Sequence, residues 1–140
     1  MGYRSDVRIA VSKKGYKEML KYIEEFAKRK DLDKDDVIDL LNCTDFSCEN
    51  KYQKYFGWDG IKWYDGFPDI DAIIVALSHI ENEGYSYNFT KIGEELTYIE
   101  EHGCDGIKIL KKFICCLSIY RARFADFLME NEMKEQDKII

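Results

Sequence analysis

The sequence predicts an α+β fold, a ferredoxin-like sandwich in which an antiparallel four- to five-stranded sheet carries two main helices on one face. Three observations point there. An alternating strand opens the chain, two amphipathic helical stretches follow at a distance from one another, and aromatic, β-branched segments separate them.

The first strand is read from Val7, Ile9 and Val11, which alternate with Arg8, Ala10 and Ser12 as in a half-buried strand. Tyr16, Met19, Leu20, Ile23, Phe26 and Ala27 then recur at helical spacing, with Lys and Glu between them, and predict one face of a long helix. The charged run "KRKDLDKDD" interrupts it. Asp33 or Asp35 is placed to cap a short helix through Leu41, because a carboxylate accepts from the free amides at a helix start. "NCTDFSCEN" reads as loop.

The densest aromatic stretch, "KYFGWDGIKWYDGFPDIDAI" (54–73), follows. Asp59-Gly60 is the signature of a two-residue hairpin turn, which requires positive φ at both central residues. That turn sets Trp58 against Ile61, Phe56 against Trp63 and Tyr55 against Tyr64. Phe56, Trp58, Ile61 and Trp63 then share a core face. Arg8, Tyr55, Lys62 and Tyr64 fall on the opposite face, which is either open to a ligand or covered by the chain's own C-terminal segment or a second copy.

Pro68 suits the first turn of the second helix, Asp69 and Asp71 suit its positive end, and Gly84 suits its stop. Ile70, Ile73, Ile74, Leu77 and Ile80 form its buried stripe. Tyr85–Ile92 reads as a strand and "GEELTYIEEHGCDG" as an acidic loop. Between Ile107 and Met129 the spacing also matches a helix, but "FICCLSIYRAR" is apolar on both sides, and a strand over Phe113–Arg121 is preferred. The expected organisation is one domain over residues 1–123, with a helical or flexible tail over 124–140.

The totals narrow the function. A chain of 140 residues buries roughly two-thirds of its unfolded surface and needs no disulfide or metal staple. The net charge is −6, divided unevenly: residues 1–64 hold 13 Lys/Arg against 12 Asp/Glu, and residues 65–140 hold 8 against 15. An acidic chain is a poor general binder of nucleic acid, yet it suits a basic protein surface. Five cysteines, no secretory leader, no myristoylation signal (Asp6 stands where Ser or Thr is wanted) and no membrane-length apolar run lead to the expectation of a cytoplasmic protein with reduced thiols, off the membrane.

No cofactor is implied. Cys43-x4-Cys48 has zinc-type spacing, but His102-x-Cys104 is too tight for a second pair, and unrelated thiols are the simpler reading. Cys115 and Cys116 are adjacent and read as buried structural residues. His79 reads as a partly exposed helical residue, and His102 as one among acidic neighbours. No phosphate-loop pattern is present. Arg4 and Asp6 fall on one side of an extended chain, as an ion pair or a capping pair would.

The opening "MGYRSDV" and the later "GIKWYDGFPDIDAI" resemble a family of small phage- and prophage-encoded proteins that begin M-G-Y-R-S-[DE]-V and carry K-W-Y-[ED]-G-[YF]-P ahead of a helix. Two weaker likenesses, "KIGEEL" and "SIYRAR", extend the match over roughly residues 1–121. The loop Asp31–Asn50 and the tail past Phe124 depart from it. The resemblance implies a phage accessory gene and no particular chemistry. By analogy, small acidic proteins of that kind inhibit host defence, as anti-CRISPR proteins do.

The expected function is therefore a non-enzymatic accessory protein that binds and blocks a host defence protein, nucleic-acid-binding components of such defence included. The acidic residues Glu94, Glu95, Glu100 and Glu101 would meet its basic groove. One alternative is a nucleotide or single-strand binding module built on Arg8, Tyr55, Lys62 and Tyr64. Another is a structural homo-oligomer, a homodimer in its simplest form.

Overall fold

The structure, a computed structural model, describes residues 4–93, 99–103, 115–118, 121–124 and 126–138. It is an α+β fold, with, among the described residues, a five-stranded antiparallel sheet, a separate two-stranded sheet and four helices. The elements are β1 (Ser5–Ser12), α1 (Lys13–Arg29), α2 (Lys34–Asn42), β2 (Phe46–Glu49), β3 (Gln53–Ile61), α3 (Pro68–Asn82), β4 (Tyr87–Ile92), β5 (Ile99–Gly103), β6 (Cys115–Ser118), β7 (Arg121–Arg123) and α4 (Asp126–Lys138). The main sheet runs β2-β3-β1-β4-β5, and β6 pairs with β7. With α1 joining β1 to the β2–β3 hairpin and α3 joining β3 to β4, the first four strands have the connectivity of a ferredoxin-like sandwich.

The helices form for the reasons their sequences predict. Ser12 caps α1 by accepting from the Gly15 N–H at 3.0 Å. Asp33 caps α2 by accepting from the Asp35 N–H at 2.9 Å. Pro68 opens α3, and the chain leaves it through Gly84, whose N–H reaches the Glu81 carbonyl. Met19, Ile23, Ile70, Ile73 and Ile80 meet Val7, Ile9, Val11, Phe56 and Trp58 from the sheet in one continuous core. Removing each such aliphatic side chain from water contributes about 2 kcal/mol. α1 and α3 also touch through His79, which stacks on Tyr22 at 4.2 Å and meets Glu18 at 3.2 Å.

Four sequence expectations are corrected. First, Asp59-Gly60 does not turn a hairpin. β3 runs straight through it, and the register with β1 passes from Val7↔Trp58 to Ser5↔Ile61, so Asp59 and Gly60 together oppose Asp6. Gly60 has φ 62°, the left-handed conformation that a bulge requires as much as a hairpin turn does. The Asp6 carboxylate accepts from the Gly60 N–H at 2.9 Å, and Arg4 donates to the Gly60 carbonyl at 2.8 Å. Arg4 and Asp6 thus clamp the bulge from one side.

Second, the hairpin lies earlier. Phe46–Glu49, expected as loop, is the edge strand β2, and Asn50 makes the turn by accepting from the N–H groups of Tyr52 and Gln53 at 2.8 and 2.9 Å. Third, the acidic "loop" contains β5, which pairs with β4 from Asn88↔Gly103 to Ile92↔Ile99. Fourth, of the expected strand Phe113–Arg121, the described part is two short strands paired with each other. Residues 113, 114, 119 and 120 lie outside the described set.

The second face of the sheet is also covered. α4 lies over it, and Met129, Met133 and Phe124 pack on Ala10, Tyr55 and Ile92. β1 is consequently buried on both sides along nearly its whole length, where alternation had predicted a half-buried strand.

Gly57 and Gly60 give a test of this packing. A Cβ at Gly57 would lie 1.9 Å from the Val7 carbonyl oxygen and 2.7 Å from the Arg8 side chain, whereas one at Gly60 would meet nothing. Gly57→Ala is expected to lower urea-unfolding stability by about 3 kcal/mol or more, the upper end of overpacking costs. Gly60→Ala should cost only the left-handed strain of about 1 kcal/mol.

Candidate functional site

The residues singled out in the sequence separate into three places. Arg8 and Tyr55 lie beneath α4 and are each about 1% exposed. Lys62 and Tyr64 are not on that face at all. They sit in the connection from β3 to α3, where Lys62 is exposed and Tyr64 meets Phe67 edge to face at 5.8 Å. The expected four-residue platform is therefore not assembled, because it depended on the hairpin that the bulge replaces. Glu100 and Glu101 are on β5. Glu94 and Glu95 lie outside the described residues.

Arg8 shows why the platform is closed. Its Nε and Nη2 donate to the two oxygens of Asp126 at 2.8 and 2.7 Å, a bidentate pair from β1 to the first turn of α4. Nη2 also reaches Asp59 at 2.9 Å, and Nη1 donates to the carbonyls of Val7 and Trp58 at 3.0 and 3.1 Å. All five donors of the guanidinium are thus engaged. The Tyr55 hydroxyl donates to Asp126 at 2.7 Å, and Phe124 lies 5.1 Å under the guanidinium.

Burial alone would disfavour the charged form of Arg8. The hydrogen bond and charge of Asp126, then the charge of Asp59, outweigh it and hold Arg8 cationic above its ordinary range. Burial, then the charge of Asp126, keep the Tyr55 phenol protonated well above its usual value. The far end of α4 is tied as well. The Asn50 side chain donates to the Met133 carbonyl and to Gln136, both at 2.9 Å, and Asp137 accepts from the Lys51 N–H at 2.9 Å.

Of the five cysteines, the side chains of Cys43 and Cys48 are described. Cys43 is exposed at the end of α2, and Cys48 faces α4, its thiol donating to the Met133 sulfur at 3.6 Å. Burial, then the charges of Glu130 and Asp126, push the Cys48 thiol up to about 11. Among the described residues no three His, Cys, Asp or Glu are grouped to hold a metal ion, and no helix is long and apolar enough to cross a membrane. Cys104 lies outside the described residues.

The surface with the shape of a binding site is a groove of about 710 Å³ on the helix side of the sheet, between α3 and β5. It arises because the sheet continues one strand past β4, and α3 does not cover the added strand. Its floor ends a row of rings that crosses the sheet. Phe56 meets Trp58 at 5.8 Å, Trp58 meets Trp63 at 5.6 Å, Trp63 meets Phe89 at 5.5 Å, and Phe89 stacks on His102 at 5.9 Å.

Three carboxylates face this groove, Asp65, Glu81 and Glu100, against the cation Lys91 and the imidazole of His102; Glu101 borders it but, as the partner of Thr90, alternates to the other side of the sheet. Lys91 and His102 both approach the same Glu100 oxygen, at 3.8 and 3.2 Å, because 91 and 100 are register partners and 102 is two residues on. The Tyr87 hydroxyl donates to Glu81 at 3.4 Å. Sequence reasoning found Glu100 and Glu101 through local charge. It did not find Asp65, Glu81 or Lys91 as their neighbours, since only the β4–β5 pairing and the position of α3 bring them together.

Comparison with protein-family models, with curated proteins and with solved structures finds no match to this chain.

Two outcomes follow from the buried cluster. Asp126→Ala removes the bidentate partner of buried Arg8 and leaves it only the half-exposed Asp59 as counter-charge, and should cost about 3 kcal/mol in denaturant unfolding. Arg8→Met combined with Asp126→Leu should recover most of that loss. The thiol and phenol act with one sign: the folded chain keeps protons that the unfolded chain releases near pH 9 for Cys48 and near pH 10 for Tyr55. Stability is therefore full below pH 9 and falls as pH rises through the window to about 11. Urea midpoints at pH about 8 and about 10.5 should show this fall, and Cys48→Ala should reduce it.

Proposed function

We propose that this chain is a non-enzymatic binding protein, a phage-type accessory protein that captures a host defence protein and blocks it by occupying a basic surface. The observation that carries the reading is the groove between α3 and β5, where an aromatic floor is rimmed by the carboxylates of Asp65, Glu81 and Glu100. An apolar, aromatic centre with a charged rim is the anatomy of a protein-docking surface, and its sign suits a cationic partner. The uneven charge of the chain agrees, because residues 65–140 carry the excess of acid. The phage context rests on the two motifs of residues 1–7 and 60–73.

The nucleotide-platform reading has less support. Arg8 and Tyr55 are spent on Asp126, and Lys62 and Tyr64 stand elsewhere.

Affinity capture from a bacterial lysate, read by mass spectrometry, should return a partner with a basic surface. Recovery should fall as salt rises, and the double charge reversal Glu100→Lys, Glu101→Lys should lower affinity at least about tenfold. Capture that is indifferent to both salt and charge reversal would rule out the acidic surface as the means of binding. Lys62→Ala and Tyr64→Ala should leave capture within about twofold, as expected of residues outside the docking centre.

A further inference from the structure

We propose that the groove between α3 and β5 is a seat for an arginine side chain presented by the partner protein. The inference rests on the docking function above and names what that surface recognises.

The groove combines acidic side chains with an aromatic floor. Its acid alone would attract any cation, and a lysine ammonium, compact and strongly hydrated, is as well served by exposed carboxylates anywhere on the surface. The floor supplies the distinction. The His102 ring lies 30° from the plane of Phe89, with its own side chain 61% exposed, so a flat aromatic surface faces the groove. Trp63 backs Phe89 from the other side. A guanidinium is planar and weakly hydrated. It stacks on such rings while its edge donates to carboxylates in pairs.

The carboxylates are held where that edge would meet them. Glu81 rises from the last turn of α3 and is met by the Tyr87 hydroxyl, and Glu100 is oriented by Lys91 and His102. Lys91 lines the seat, with a side chain only 15% exposed whose ammonium stands 3.8 Å from Glu100. A volume of about 710 Å³ accommodates one long side chain together with the short stretch of backbone that presents it.

The test uses the full chain and three short peptides, identical except for a central arginine, lysine or citrulline. Citrulline keeps the shape of arginine without its charge. Binding is followed by the amide and indole N–H signals in two-dimensional NMR. The arginine peptide should move the signals of Trp63, Phe89 and His102. It should bind about fivefold more tightly than the lysine peptide and at least about tenfold more tightly than the citrulline peptide. Glu81→Gln and Glu100→Gln should each weaken it at least about threefold, and Glu24→Gln, on the far side of α1, should not.

Equal binding of arginine and lysine, or shifts centred away from the groove, would overturn the arginine seat. So would an absence of shifts with all three peptides while partner capture remains salt-sensitive, and that result leaves the docking function standing. Arginine binding in the groove without any salt-sensitive partner capture would support the seat and count against the inhibitory function.

Discussion

Arg8 projects from the middle strand of the sheet on the side away from α1 and α3, and the closure of that side depends on its pairing with Asp126. The pair joins residues 118 positions apart. A buried guanidinium is tolerable only when its donors are met, and here two carboxylates and two backbone carbonyls meet all five. Asp126 also accepts from Tyr55, so one carboxylate fastens two strands to α4. The two methionines of α4 then pack on the small surface left beside Ala10, and Asn50 ties the far end. Room for the arginine comes from Gly57, whose missing side chain lets Arg8 cross β3 at contact distance. α4 is thus the second layer of the sheet rather than an appendage, and the polar contacts fix its position more narrowly than two methionines could alone.

Closing one face leaves the groove on the other. The two helices over the sheet fill the space above β1, β3 and β4, and β5 lies beyond them. An edge strand in that position creates a step between helix and sheet, and the step is the groove. What lines it follows from period 2: Phe89 and Lys91 of β4, with their partners His102 and Glu100, all point to the helix side. The row of rings that forms the core reaches the surface at His102, so a hydrophobic core and a charged rim meet in one place.

Much of the fold is legible in the residues. The apolar spacing of α1 and α3, the cap at Asp33, the proline at the start of α3 and the alternation of β1 are local signals, and each describes an element that forms where expected. Two of the errors share a cause. β2 and β5 are short edge strands of four and five residues, rich in polar and acidic side chains because one side of an edge faces water. Their pattern differs little from loop until a partner strand is known. Of the site, Glu100 and Glu101 could be read from local charge, whereas Asp65, Glu81, Lys91 and His102 become a group only by pairing and packing.

The Asp59-Gly60 step separates the two kinds of information. The sequence by itself determined that the chain takes a left-handed step at Gly60, since glycine has no Cβ to clash there, and that aromatic residues on either side would build a core. Whether that step reverses the chain or bulges a straight strand was decided by β1, which lies alongside β3 and offers Asp6 to the Gly60 amide. The same holds for Arg8 and Tyr55. Their place on one face was written in the alternation of each strand, but their exposure was set by a helix more than seventy residues away, through a carboxylate that no local pattern could have assigned to them.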